Sequence, residues 1–281
     1  MRLLVLLFIP LSFYGQYFDS VSIEKKINFV TYLKANNQTE DALHLLHYFN
    51  SQVKIDSLQL FEAKLLLELR REKDADTLLQ KCAGLFPDSS NLNCSYILLK
   101  NHANLLIGNY DKIIEPKYYK KLVHYEAWRI QLLSATLLNK KMDDFDLVFN
   151  AGKCNDANLA LIEFYIYVQK VEISRRRKKS SFIAGLLSAI IPGSGKIYAG
   201  KPHEALTGFI PVAFNLAQAG EGYYYKKFDS PHLYIFGLLG TVFYASGIYG
   251  SGKAATRKNN EFNTKIKNNI EYEITKLIKH Y

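Results

Sequence analysis

The stretch Ile190-Ile-Pro-Gly-Ser-Gly-Lys-Ile-Tyr-Ala-Gly200 constrains what this chain can fold into more than any other. A basic run and an apolar segment, residues 182–191, precede it, and two long apolar segments, 205–225 and 233–251, come after it. Each long segment approaches the ~20 residues that a helix needs to cross a bilayer. The segment over 181–191 has about half that length and reads as a half-helix, broken by Pro192-Gly-Ser-Gly195. Backbone groups freed at membrane depth must find partners in protein or water, so such a break belongs at a packed or hydrated place. The pattern predicts transmembrane helices over 204–225 and 232–251, a hairpin entered through a glycine-rich turn. It argues for a membrane-anchored protein rather than a soluble enzyme.

Charge supports the same reading. Lys and Arg number 36 against 26 Asp and Glu, a net charge of +10. The excess gathers beside the apolar segments, at Arg175, Arg176, Arg177, Lys178 and Lys179, then at Lys253, Arg257, Lys258, Lys265 and Lys267. Such clusters attract anionic lipid headgroups at roughly 1 kcal/mol per charge. Arg175–Lys179 is therefore the expected headgroup contact, membrane lipid the expected partner, and nucleic acid an unexpected one.

Residues 1–15 have one positive charge, a short apolar core and a small residue at Gly15, the layout of a cleaved secretory signal. An uncleaved anchor is the alternative. No Cys stands directly after Gly15, which argues against a lipoprotein. Either form exports the repeat region, to the periplasmic side of a bacterial inner membrane. Positive residues usually mark the cytoplasmic side, so the basic run stands in tension with export, and the opposite topology stays open. Three cysteines make no full disulfide framework. Cys82 and Cys94 flank the turn at Pro87-Asp-Ser-Ser90 and are either a disulfide or two buried thiols; Cys154 has no evident partner.

Residues 20–174 alternate amphipathic stretches with short polar breaks and carry almost no strand signal. Asp41, Asp76, Asp111 and Asp146 recur at steps of 35, each followed two residues later by Leu43, Leu78, Ile113 or Val148. A carboxylate at a helix start accepts orphan amide hydrogens and meets the positive dipole end, so these four read as structural caps. The period, the Gly108-Asn-Tyr-Asp111 opening and Pro87 after Phe86 resemble tetratricopeptide repeats. That resemblance implies a solenoid of helix pairs offering a groove to a protein partner. Only one unit has Gly before the turn, and the family's aromatic and small positions are partly kept. His44, His47, His102 and Tyr125 are candidates for lining the groove.

The membrane segment has its own resemblance. Pro192, Gly193, Gly195, Tyr198, Gly200 and then Gly208 and Asn215 fit the Pro-Gly-x-Gly-x-x-Tyr-x-Gly signature of an uncharacterised bacterial membrane domain similar in layout to the TM2 domain. The likeness covers about 175–262 and also takes in Ile248-Tyr249-Gly250 and Asn259. It implies a lead helix, a glycine turn and a helical hairpin, and it implies no activity.

The expected organisation is thus all-α: signal peptide 1–15, repeat domain 20–174, membrane domain 175–262, and a basic C-terminal helix or tail over 263–281. The function it points to is a non-enzymatic adaptor that presents the repeats to an envelope protein. The alternative is a small oligomeric transport or lipid-handling unit working through the hairpin. Asn215, Gln218 and Glu221, three residues apart, would be its polar face, and the Gly237, Gly240, Gly247 and Gly250 faces would allow a homo-oligomer. Two glycine stretches, Gly193-Ser-Gly-Lys196 and Gly247-Ile-Tyr-Gly-Ser-Gly-Lys-Ala254, approach a phosphate loop. Neither has the Ser or Thr after Lys that magnesium requires. No cofactor, metal or catalytic residue is expected.

Overall fold

A computed structural model describes residues 23–52, 55–87, 90–114 and 124–278; the signal segment 1–15 lies outside them. Among the described residues there is no strand. The α-helices in chain order are α1 (Ile23–Ala35), α2 (Thr39–Gln52), α3 (Asp56–Glu68), α4 (Glu72–Lys81), α5 (Asn91–Ile107), α6 (Tyr125–Leu138) and α7 (Met142–Asn150). Then come α8 (Ala157–Arg175), α9 (Ser181–Ile190), α10 (Ser194–Tyr198), α11 (Pro202–Lys226) and α12 (Pro231–Leu277). The chain divides into two compact units: residues up to Tyr167 together with those from Glu271 onward, and Val168–Ile270.

In the first unit each helix from α1 to α7 packs against the next, the α5–α6 contact spanning the residues between them, and α3 also packs against α5. The apolar stripes that give these stretches their periodicity close a core of Val30, Leu46, Leu65, Leu67, Leu79 and their neighbours. Ile278 is buried in that same core, so the segment after Glu271 completes it. Of the expected helix or tail over 263–281, the residues to Leu277 are helical.

A recurrent turn joins the helices. At Asn37, Arg70, Gly108 and Lys140 the backbone enters the left-handed region, with φ of 60°, 59°, 96° and 61°. Each time the next amide donates to the carbonyl five residues back: Gln38 to Leu33, Arg71 to Leu66, Asn109 to Asn104, Lys141 to Thr136. These bonds satisfy carbonyls that a helix end would leave bare. A new helical segment begins two residues after each turn residue, at Thr39, Glu72, Tyr110 (a 3₁₀ turn, Tyr110–Lys112) and Met142.

The four aspartates do not share one place in this pattern. Asp41 lies in the first turn of α2, where its charge suits the dipole. Asp76 and Asp146 sit well inside α4 and α7, whose N-caps are Arg71 and Lys141 without side-chain cap bonds. Asp76 instead accepts from Lys100 at 2.6 Å and from Gln80 at 2.7 Å. Asp111, on the 3₁₀ turn, accepts from Asn139 at 2.6 Å. The equal spacing marks no common cap, because the turns themselves are unequally spaced.

The second unit is built the other way round. Small residues meet inside it, with Ala184, Ala199, Ala254 and Ala255 fully buried. Large apolar side chains point outward: Phe182 is 77% exposed, Ile190 71% and Leu238 69%. α9 matches the expected half-helix. The expected second span continues without a break into one helix of 47 residues, α12, which is long and apolar enough to cross a membrane. Among the described residues no other helix meets both conditions. The expected first span, α11, is 25 residues long, but Glu204, Asn215, Gln218 and Glu221 lower its hydropathy.

Candidate functional site

The glycine-rich turn is the most densely determined part of the second unit. Ile191 ends α9 in an extended conformation, and Gly193 comes next but one with φ of 86°. A side chain at Gly193 would be strained, and its Cβ would lie 2.7 Å from the Ala205 carbonyl oxygen. Gly195 is tighter still, since a Cβ there would fall 1.8 Å from the Ala184 carbonyl oxygen. Short α10 therefore lies directly on α9. The Gly195 amide donates to Ser188 Oγ at 3.0 Å, and Ser188 shares a 2.6 Å hydroxyl contact with Ser251 of α12. The freed carbonyls of the α9 end are met by Ser194, whose hydroxyl donates to Leu187 at 2.6 Å and to Ile191 at 2.8 Å. Several backbone groups of the break thus find partners within the protein, as suits a packed site.

Lys196 leaves this turn towards α11. Its ammonium donates to the Glu204 carbonyl at 3.1 Å and passes over Gly208, where a Cβ would sit 3.1 Å from Nζ. Gly208 thus makes room for a lysine stem. Gly200 closes α10, and the Lys201 amide then donates to the Lys196 carbonyl at 2.9 Å.

The basic run forms a strap over residues 176–180. The Arg176 guanidinium lies 3.7 Å from the Phe262 ring centroid and donates to the Lys258 carbonyl at 2.9 Å. Asn259 holds the strap from both sides: Oδ1 accepts the Lys179 amide at 3.1 Å, and Nδ2 donates to the Lys179 carbonyl at 2.8 Å. Tyr198 accepts the Ser180 amide at 3.1 Å, and Lys179 Nζ stands over its ring. Of the five expected headgroup contacts, Arg176 and Lys179 are thus engaged within the unit, while Arg175, Arg177 and Lys178 are exposed. Asn259 is the residue whose weight sequence reasoning understated.

Pro192, Gly193, Gly195, Tyr198 and Gly200 are gathered around α10, and Gly208 lies under Lys196. Asn215 stands apart. It is buried, donates to the Pro211 carbonyl of its own helix at 2.7 Å, and lies against Gly240. The polar face expected on α11 disperses. Gln218 contacts His232 at 3.1 Å and Glu221 is exposed near the helix end. Residues 247–254 are helical within α12, so no phosphate loop forms there.

The first unit holds two further features. Arg129, 1% exposed, ion-pairs with Glu163 at 2.6 Å and donates to the Gly152 carbonyl at 2.6 Å and Cys154 Sγ at 3.3 Å. Burial, then the Glu163 carboxylate, push the Cys154 thiol up to about 12. Cys82 and Cys94 are free, buried thiols, with Cys82 donating to Gln59 at 3.0 Å. The second feature is a cleft of about 380 Å³ beside the 3₁₀ turn, bounded by Asp111, Ile113, Asp144 and Leu147. Leu147 is 72% exposed there. Of the expected groove residues, His102 is fully buried and lines nothing, while His47 pairs with Glu62 at 2.8 Å.

No family model, curated protein or solved structure matches this chain.

Proposed function

We propose that the chain is a membrane-anchored, non-enzymatic adaptor. Its first unit is a tetratricopeptide-like solenoid on the periplasmic face of a bacterial inner membrane, and it offers the Leu147 cleft to a protein of the envelope. The second unit, a domain of TM2-like layout, is the anchor.

The observation that carries this reading is the inverted second unit: its alanines, glycines and hydroxyls face inward while Phe182, Ile190 and Leu238 face out. Left in water, an apolar surface of this kind would aggregate; in lipid it costs nothing. Parity supports a second crossing. Residues before Tyr167 and after Glu271 form one compact unit, so they lie on one side of any membrane. The chain between them then crosses an even number of times. If α12 is one crossing, α11 is the natural other, despite its lower hydropathy. The polar face needed by a conduit is scattered, which favours anchor over transporter.

The test is recovery of the full chain from membranes in mild detergent with whatever binds it at near-equal amounts. A stoichiometric envelope protein that is lost on Leu147→Asp, and kept on Glu221→Ala, is the expected result. A chain recovered alone, with function abolished by Glu221→Ala, would move the activity into the hairpin.

A further inference from the structure

We propose that the groove between α9 and α12 binds one anionic phospholipid, its acyl chain along the groove and its phosphate at Lys253. The proposal rests on the second unit being embedded in a bilayer.

The two helices run side by side in opposite directions. Ser181 lies against Gly252, where a Cβ would stand 2.9 Å from the serine hydroxyl. Four residues on, a Cβ at Gly185 would meet Ile248 at 3.8 Å, and four further on the Tyr244 hydroxyl donates to the Ala189 carbonyl. Along this seam runs an open groove of about 460 Å³, walled by Phe182, Leu186, Ile248 and Tyr249. From Ser181 to Ala189 it extends ~12 Å at 1.5 Å per residue. That is close to the ~15 Å half-thickness of a hydrocarbon core, the depth reached by one leaflet's acyl chain.

The ends of the groove differ in chemistry. One carries Ser181, Thr256 and Lys253, whose ammonium rests near the Tyr249 ring at 5.4 Å. The exposed Arg177 and Lys178 precede Ser181 by so few residues that the chain holds them within ~15 Å of it. The other end is at Ala189, just before Ile190 and Ile191, both exposed and apolar. A cationic mouth above an apolar slot of one-leaflet depth has the chemistry of an anionic phospholipid reversed in sign. A second copy of this chain, sharing the membrane normal, would set Lys253 and the strap charges against their own kind.

The test uses the full chain in mild detergent, read by native mass spectrometry with added phosphatidylglycerol or phosphatidylcholine. One retained phosphatidylglycerol is expected, held about fivefold more tightly than phosphatidylcholine. Lys253→Gln should remove that preference. Gly185→Leu, at a site whose Cβ finds only ordinary contact, should fill the slot and abolish both adducts. Equal retention of the two lipids by the parent chain would overturn the proposal. Phosphatidylglycerol binding indifferent to both substitutions, or a dimer abolished by Gly185→Leu, would do the same. A chain found soluble without detergent would instead remove the embedding on which the proposal stands.

Discussion

Removing the charge of Glu163 should unfold the first unit at markedly lower denaturant. Arg129 is 1% exposed and its counter-charge is Glu163, 2.6 Å away. With Glu163→Gln the guanidinium keeps the Gly152 carbonyl but loses the carboxylate. A buried charge left uncompensated costs about 3–5 kcal/mol. The single tryptophan, Trp128, adjoins Arg129 and is buried, so its fluorescence reports this region directly. With a urea slope of about 2 kcal/mol/M, the midpoint should fall by roughly 1.5–2.5 M. The double variant Arg129→Met with Glu163→Leu should return close to the parent, since hydrophobic replacement of a whole buried pair is often neutral or stabilising. A loss below about 1 kcal/mol for Glu163→Gln would refute the reasoning, because the guanidinium would then be reaching water.

Burial holds His102 neutral, with its pKa lowered to about 3, while the unfolded chain protonates near 6.5. Stability of the first unit should therefore be full above pH 6.5 and fall by about 1.4 kcal/mol per pH unit towards 3; His102→Asn should flatten that slope in urea titrations at pH 7 and 5. Gly195→Ala forces a Cβ onto the Ala184 carbonyl and should cost about 3 kcal/mol or more, read as lower thermal stability in detergent. Gly220→Ala, in a helix with open space at the Cβ, should be neutral or slightly stabilising by the same assay. Asn259→Ala removes the two backbone hydrogen bonds with Lys179, each worth about 1 kcal/mol, and a longer 3.3 Å one from Arg176. Trypsin should then cut at Arg177 and Lys178 roughly ten- to thirtyfold faster; an unchanged rate would mean that Tyr198 and Arg176 hold the strap alone.

The helical class was legible because amphipathic stripes are local, and the half-helix was legible because proline and glycine punctuate it. The recurrent turn was half visible: Asn37 and Gly108 are residue types that tolerate positive φ, but Arg70 and Lys140 give no such sign. The aspartates supplied a regular spacing that the turns do not keep. Arg129 and Glu163 lie on different helices, and no local pattern pairs residues so far apart in sequence. The second span was expected to stop at residue 251, and the helix instead runs on to Leu277. No proline interrupts α12 after Pro231, and Gly252 packs closely on Ser181 within it. The motif glycines at 193 and 195 were visible as punctuation, and the close packing they permit became visible only in three dimensions.

The burial of Ile278 among Val30, Leu46 and Leu65 has a consequence for biosynthesis. Those partners leave the ribosome long before it, with all of Val168–Ile270 made in between. The first unit therefore cannot complete its core until the last residues of the chain have been made. It must wait, with one apolar face open, until the intervening segment has been synthesised. Chains stalled or clipped before Glu271 carry that open face permanently, which marks them for chaperones and proteases and makes closure a late check on complete manufacture.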